Sequence, residues 1–196
     1  AVLEKGLAGR PEQVHAVRLM DSVRALGVSL DTMLDVSRID SGVIVPEWQT
    51  VALNTVFQQI NAVFSSLAEQ KGLQLRLRAS PLAVTSDPHL LYRLLVNLVE
   101  NAIKNTPRGG VLVVARARGA QVWIDICDTG VGITDEQAPH IFDEFYQANN
   151  PGRDRSMGSG LGLSIVRRLS LLLDHPVAVR SRPKHGSRFR VTLPVA

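Results

Sequence analysis

The 196-residue chain carries one cysteine, Cys127. That excludes an internal disulfide framework and fits a reducing compartment, so a cytoplasmic location is expected. Aromatic residues are scarce, at 5%. The 22 basic and 18 acidic side chains leave a net charge of only +4, and the basic ones are scattered apart from the Arg180–Arg190 region. A nucleic-acid surface with interleaved aromatics is therefore not expected, whereas a small phosphate-bearing ligand is. No apolar run approaches the length that spans a bilayer, and no signal peptide, internal repeat or low-complexity tract is present. No His/Cys spacing suits zinc. The composition, 45% hydrophobic and 20% charged, is that of a folded chain. The chain starts at Ala1, already in helix-like text, which reads as a piece of a longer protein whose membrane anchoring is left open.

Two regions follow from the patterning. Residues 1–42 read as part of a helical bundle: Leu19, Val23, Leu26, Leu30 and Met33 recur at alternating four- and three-residue steps, the seam of a coiled coil. Pro11 suits the first helical turn and Gly42 the C-terminal cap. Such a seam needs a partner, so a homodimer through the helix of residues 11–41 is expected. Residues 43–196 read as an α+β domain. Residues 43–51 are extended and interrupted by Pro46, and Leu53–Gln70 is an amphipathic helix. Leu73–Arg78 alternates like a half-buried strand. Asp87–Pro88 is a helix start, after which Leu91, Leu94, Leu95, Leu98, Ala102 and Ile103 share one face. Two strands flank the Gly119–Ala120 turn, residues 161–173 are helical, and Val177–Arg182 and Arg188–Leu193 close the sheet. The expected fold is a two-layer α/β sandwich, a mixed sheet covered by helices on one face.

Three polar boxes carry the chemistry. In NLVENAIKNTP, Asn97, Asn101 and Lys104 fall at i, i+4 and i+7 and share the helix face opposite the leucines. Asparagine weakens a helix, so its presence suggests that an amide oxygen is wanted, and a neutral hard oxygen suits Mg²⁺ beside phosphate. In DTGVGI, Asp128 ends a strand before Gly130, Gly132 and Ile133. In GSGLGLSIV, Gly158, Ser159, Gly160, Leu161 and Gly162 lead into a helix whose first N–H groups form an anion site. Between the last two boxes, Gln147–Met157 is polar and includes Arg153 and Arg155, the pattern of a lid over phosphates.

The order and spacing of these boxes resemble the GHKL ATP-binding superfamily. IFDEFYQ at Ile141–Gln147 and LDVSRIDSG at Leu34–Gly42 narrow the resemblance to sensor histidine kinases of two-component systems. It implies ATP and Mg²⁺ as ligands, Asn101 as the metal ligand and Lys104 on phosphate. It also implies that Asp128 accepts the adenine amine, with the Ser187 hydroxyl assisting through water. An aromatic residue is usual at the position of Asn105, where its ring packs on adenine; Tyr146 is the residue expected to compensate here. Asn97 stands where gyrase-type relatives place a water-activating glutamate, so rapid ATP hydrolysis is not expected. The family's acceptor histidine, followed by glutamate on the first bundle helix, has no match: His15 lies in VHAVRL on the second helix. The chain is thus expected to transfer the γ-phosphate to an upstream phosphoacceptor helix, for relay to a response-regulator receiver domain, and not to phosphorylate itself. Competing readings are a pseudokinase-type interaction module, favoured only by Asn105, and an anti-sigma-type serine kinase, disfavoured by the SRIDSG bundle end.

Overall fold

The computed structural model describes residues 20, 23, 27, 30, 33–34, 37–78, 81–147 and 160–196. Every described position from 20 to 40 is helical, and the turn at Ser41–Gly42 ends that helix. The seam residues Val23, Leu30 and Met33 are exposed, while Ile39 is buried in the core of the following domain. The expected boundary at residue 42 is therefore bridged by one apolar side chain. Leu19, Leu26, Pro11 and His15 lie outside the described residues.

The rest alternates helices and strands. In chain order they are β1 (Gln49–Ala52), α1 (Leu53–Gln70), β2 (Gln74–Arg78), β3 (Ala83–Ser86), α2 (Pro88–Lys104), β4 (Gly110–Arg118), β5 (Gln121–Asp128), α3 (Gly162–Leu172), β6 (Val177–Arg182) and β7 (Gly186–Pro194). Five strands form one mixed sheet in the order β2-β4-β5-β7-β6, with β2 and β4 parallel and the other neighbours antiparallel. Strand alternation puts Val111, Val113, Ile124, Ile126, Phe189 and Val191 on one face. There they are buried with the leucines of α2, Phe57 and Ile60 of α1, and Val166 and Leu169 of α3. Burying these side chains at roughly 1.5–3 kcal/mol each is what holds the two layers together.

The α+β two-layer architecture is as the sequence suggests, with one addition. Residues 49–52 do not merely join two regions; they pair antiparallel with Ala83–Ser86 as a separate two-stranded sheet. Neither strand reaches six residues, and no length-four pattern of this kind is legible by period alone. Asp87 caps α2 through Oδ1, which accepts from the N–H groups of His89 (2.9 Å) and Leu90 (3.0 Å), while Oδ2 accepts from Glu47 N (2.9 Å). One side chain thereby fixes both the helix start and the approach to β1. Among the described residues no helix is long and apolar enough to cross a membrane.

Candidate nucleotide site

The three boxes, distant in sequence, meet at one corner. Helix α2 ends at Asn105, whose carbonyl accepts from Val131 N (3.1 Å), tying the first box to the second. A Cβ at Gly130 would lie 2.2 Å from that same carbonyl oxygen. Gly132 has φ +70°, and a Cβ there would lie 2.1 Å from the Arg182 carbonyl oxygen. The two glycines of the second box therefore let its backbone sit between the end of α2 and the β6–β7 hairpin. The third box reaches the first at Gly162, where a Cβ would meet Asn97 Oδ1 at 3.3 Å.

Asp128 stands at the centre of this corner. It closes β5 on the helix-covered face and is 9% exposed. Its Oδ1 accepts from the backbone N–H groups of Gly130 (2.8 Å) and Ser187 (3.2 Å). Among the described residues Oδ2 has no donor and no cation neutralises the carboxylate. Burial pushes its pKa above the ordinary aspartate value, and the two N–H bonds only partly oppose this. A half-satisfied, desolvated carboxylate of this kind is suited to accept a hydrogen bond from an exocyclic amine.

The asparagine stripe is more ordered than its sequence implies. Asn97 Nδ2 donates to Arg93 O (2.8 Å), which turns its Oδ1 toward the start of α3. Asn105 Nδ2 donates to both the Asn101 carbonyl (2.9 Å) and Asn101 Oδ1 (3.0 Å). Asn105, read from sequence only as a missing adenine-stacking ring, thus holds the amide oxygen of Asn101 in place. That oxygen keeps a second lone pair, so the position fits a Mg²⁺ ion that retains waters and takes its other ligands from phosphate. Lys104 pairs with Glu100 at 2.7 Å; both are about 40% exposed (44% and 41%), so the pair is weak enough to release the ammonium to a phosphate.

Helix α3 begins at Gly162 with no side-chain cap, in contrast to α2, and Gly160 precedes it with its carbonyl accepting from Phe145 N (3.1 Å). Leu161 is buried, and Ser164 Oγ donates to its carbonyl (2.8 Å). An uncapped helix start leaves the macrodipole available to an anion. Gly158, Ser159, Arg153 and Arg155 lie outside the described residues, as does the expected lid beyond Gln147. Tyr146 is partly buried against the core, its ring 5.7 Å from that of His140. Phe142 packs on the core, whereas Phe145 is exposed at φ +60°.

Ser187 meets Asp128 through its backbone N–H; its hydroxyl is bonded instead to Ser181 Oγ (2.9 Å). Ser181 is a site residue that sequence reasoning passed over. It accepts from Ile133 N (2.8 Å) and donates to Gly186 O (3.0 Å), clasping the second box onto the β6–β7 hairpin. The available signal was a serine in VAVRSR at the register of the inward valines Val177 and Val179. Thr129 was also passed over: its Oγ1 accepts from Gly110 N (3.0 Å) and donates to Arg108 O (3.1 Å), bracing the turn after β5.

Comparison with known proteins identifies the family of the chain. Residues 86–196 match the family described as histidine kinase-, DNA gyrase B- and HSP90-like ATPases. The chain belongs to that family. Among curated relatives, the sensor-like histidine kinase SenX3 of Mycobacterium tuberculosis is 31% identical over 201 residues, covering 99% of this chain and 49% of SenX3. The sensor histidine kinase RcsC of Escherichia coli is 33% identical over 169 residues, covering 85% of this chain and 18% of RcsC. The chain thus spans about half the length of the first relative and a smaller share of the second. Among solved structures, full-length ShkA in complex with AMPPNP superimposes with a TM-score of 0.80 at 28% identity, covering 94% of this chain and 39% of ShkA. The histidine kinase AdeS of Acinetobacter baumannii shares the fold with a TM-score of 0.75 at 19% identity, covering 98% of this chain and 90% of that one.

Proposed function

We propose that this chain is the ATP-binding catalytic region of a sensor histidine kinase, moving the γ-phosphate of ATP to a histidine on a helix upstream of residue 1. The observation that carries the proposal is the convergence of the three boxes on Asp128, a buried carboxylate with one oxygen bonded by the protein and the other left for a ligand. Kinship with SenX3 and RcsC supports it.

On this proposal Asp128 Oδ2 accepts the adenine amine, and Ile133 and Tyr146 flank the base. Asn101 Oδ1, steadied by Asn105, ligates Mg²⁺, and Lys104 leaves Glu100 for a phosphate oxygen. The α3 start, with Gly160, Leu161 and Gly162, takes the phosphates, and Asn97 stands beside it without a carboxylate that could activate water. Bound Mg²⁺ would offset the charge that develops on phosphate oxygens during transfer. The protein's own part is positioning and electrostatics, the main demands of phosphoryl transfer. The exposed seam of Val23, Leu30 and Met33 supports a homodimer through this helix. A response-regulator receiver domain is the proposed downstream acceptor, in the cytoplasm.

The test uses γ-labelled ATP. The chain alone should stay unlabelled, and a separate fragment bearing the upstream histidine helix should gain acid-labile label when the chain is added. Label on His15 of the chain alone, or none on the added helix despite ATP binding, would contradict the proposal.

A further inference from the structure

The helix-free face of the five-stranded sheet has a composition unlike the rest of the molecule. Register and alternation place Arg76 and Arg78 of β2 and Arg116 and Arg118 of β4 on it. Arg180 and Arg182 of β6 and Arg188 and Arg190 of β7 complete the set. These are eight of the chain's eighteen arginines, and none of its four lysines shares the strands. The sole carboxylate on this face is Asp125, already taken by Arg190 through bonds of 2.7 and 2.9 Å. Arg180 and Arg188 are direct cross-strand partners, and like charges so placed repel. Among the described residues no carboxylate pairs with Arg180, Arg182 or Arg188. With His185 they border the rim of an open depression of about 370 Å³ at the β6–β7 end, which Asp128, Ser181 and Ser187 of the nucleotide site also line.

We propose that this face docks on an anionic lipid bilayer, its guanidinium groups binding lipid phosphates. Three observations favour that occupant. The charges come from four strands of the five-stranded sheet and spread in two dimensions, ~19 Å across, rather than along a track for a single nucleic-acid strand. The one tryptophan on the face, Trp123, lies against Arg190 at 3.9 Å and Arg118 at 5.4 Å, so its ring is engaged by cations and offers no stacking platform for a base. Among the described residues no large hydrophobic side chain of this face is exposed, whereas the centre of a protein–protein interface is rich in apolar anchors. Arginine's planar fork matches phosphate oxygens bidentately. Docking in this way leaves α1, α2 and α3, on the other face of the sheet, turned from the lipid.

The experiment is vesicle pelleting of the 196-residue protein. The unaltered protein should sediment with phosphatidylcholine–phosphatidylglycerol vesicles at low salt, release at high salt, and ignore pure phosphatidylcholine. The variant Arg180→Ser/Arg182→Ser/Arg188→Ser should bind about a hundredfold more weakly, at about fivefold per arginine. The variant Arg38→Ser/Arg108→Ser/Arg167→Ser, with the same loss of charge elsewhere, should lose far less. If the first variant melts below the parent, Arg116→Ser/Arg118→Ser replaces it, with a loss of about twenty-fivefold. No sedimentation of the parent, or equal losses in the face variant and the control, would overturn the proposal. Tighter, equally variant-sensitive binding to single-stranded DNA or to polyglutamate would also overturn it, in favour of a nucleic acid or an acidic protein.

Discussion

Asp125 and Asp128 are three residues apart on one strand and face opposite sides of the sheet. Both are nearly buried, at 3% and 9% exposure. Asp125 is held by both arms of the Arg190 guanidinium, so its charge is answered within the protein. Asp128 has only two backbone N–H groups on one oxygen, and its pKa is raised by burial. The contrast teaches that burial of a carboxylate does not mark a site; burial with unfinished neutralisation does. The same contrast separates the helices: α2 is capped by Asp87, while α3, whose start adjoins the asparagine stripe, has no side-chain cap.

The largest effect should come from the satisfied acid. Asp125→Ala leaves the Arg190 guanidinium without its counter-ion on a partly buried strand, which should cost about 3 kcal/mol of stability. Urea unfolding would measure that loss, while ATP affinity of the folded variant should match the parent. A variant that keeps its stability but loses ATP would exchange the roles of the two acids.

A smaller effect is expected at Asn101. Replacing it by alanine removes the proposed metal ligand from a half-buried helix position, and the Mg²⁺-dependent part of ATP affinity should fall about tenfold, since one hydrogen-bond-strength contact to a charged group is lost. Titration with and without Mg²⁺ measures this; an undiminished response to the metal would reassign the ligand. Asn105→Ala should give a weaker version of the same loss, because it only frees the Asn101 side chain.

The smallest effect sharpens the comparison on the inner side. His175 is buried, with Nε2 2.9 Å from Ser86 Oγ, Nδ1 unbonded and the Trp48 ring edge-on at 6.0 Å. Burial lowers its pKa below the usual 6.5. As pH falls through that range the unfolded chain takes up a proton that the folded chain resists, so stability is complete above the unfolded value and declines below it. The lowered pKa fixes the direction of this effect, a loss of stability toward acid pH. Thermal midpoints across that range should fall less steeply in His175→Gln; parallel profiles would remove His175 as the cause.

Much of this was legible beforehand because it rests on period and punctuation. The apolar stripe of α2, the Asp87–Pro88 start and the Gly119–Ala120 hairpin turn each show a local signal that tertiary contacts did not override. The chemistry-bearing residues were legible as boxes, since their glycines and asparagines are costly choices for ordinary elements. What escaped was pairwise and long-range. Asn105 clamping Asn101, Ser181 clasping Ile133 and Ser187, and Arg168 binding both Asp40 (2.8 Å) and Glu144 depend on register and approach across the fold. The β1–β3 pair escaped because two four-residue strands carry too few alternations to declare a period.

The central claim is that the unfinished acid reads adenine, and Asp128→Asn tests it most directly. The amide keeps one oxygen for the N–H groups of Gly130 and Ser187 but replaces the free acceptor with an NH₂ that opposes the adenine amine. Calorimetric titration should show ATP affinity reduced about tenfold or more, at roughly 1.5–3 kcal/mol for a charged hydrogen bond, with the thermal midpoint of the free protein kept or raised. Undiminished ATP affinity in a folded Asp128→Asn protein would contradict the account and place the base elsewhere.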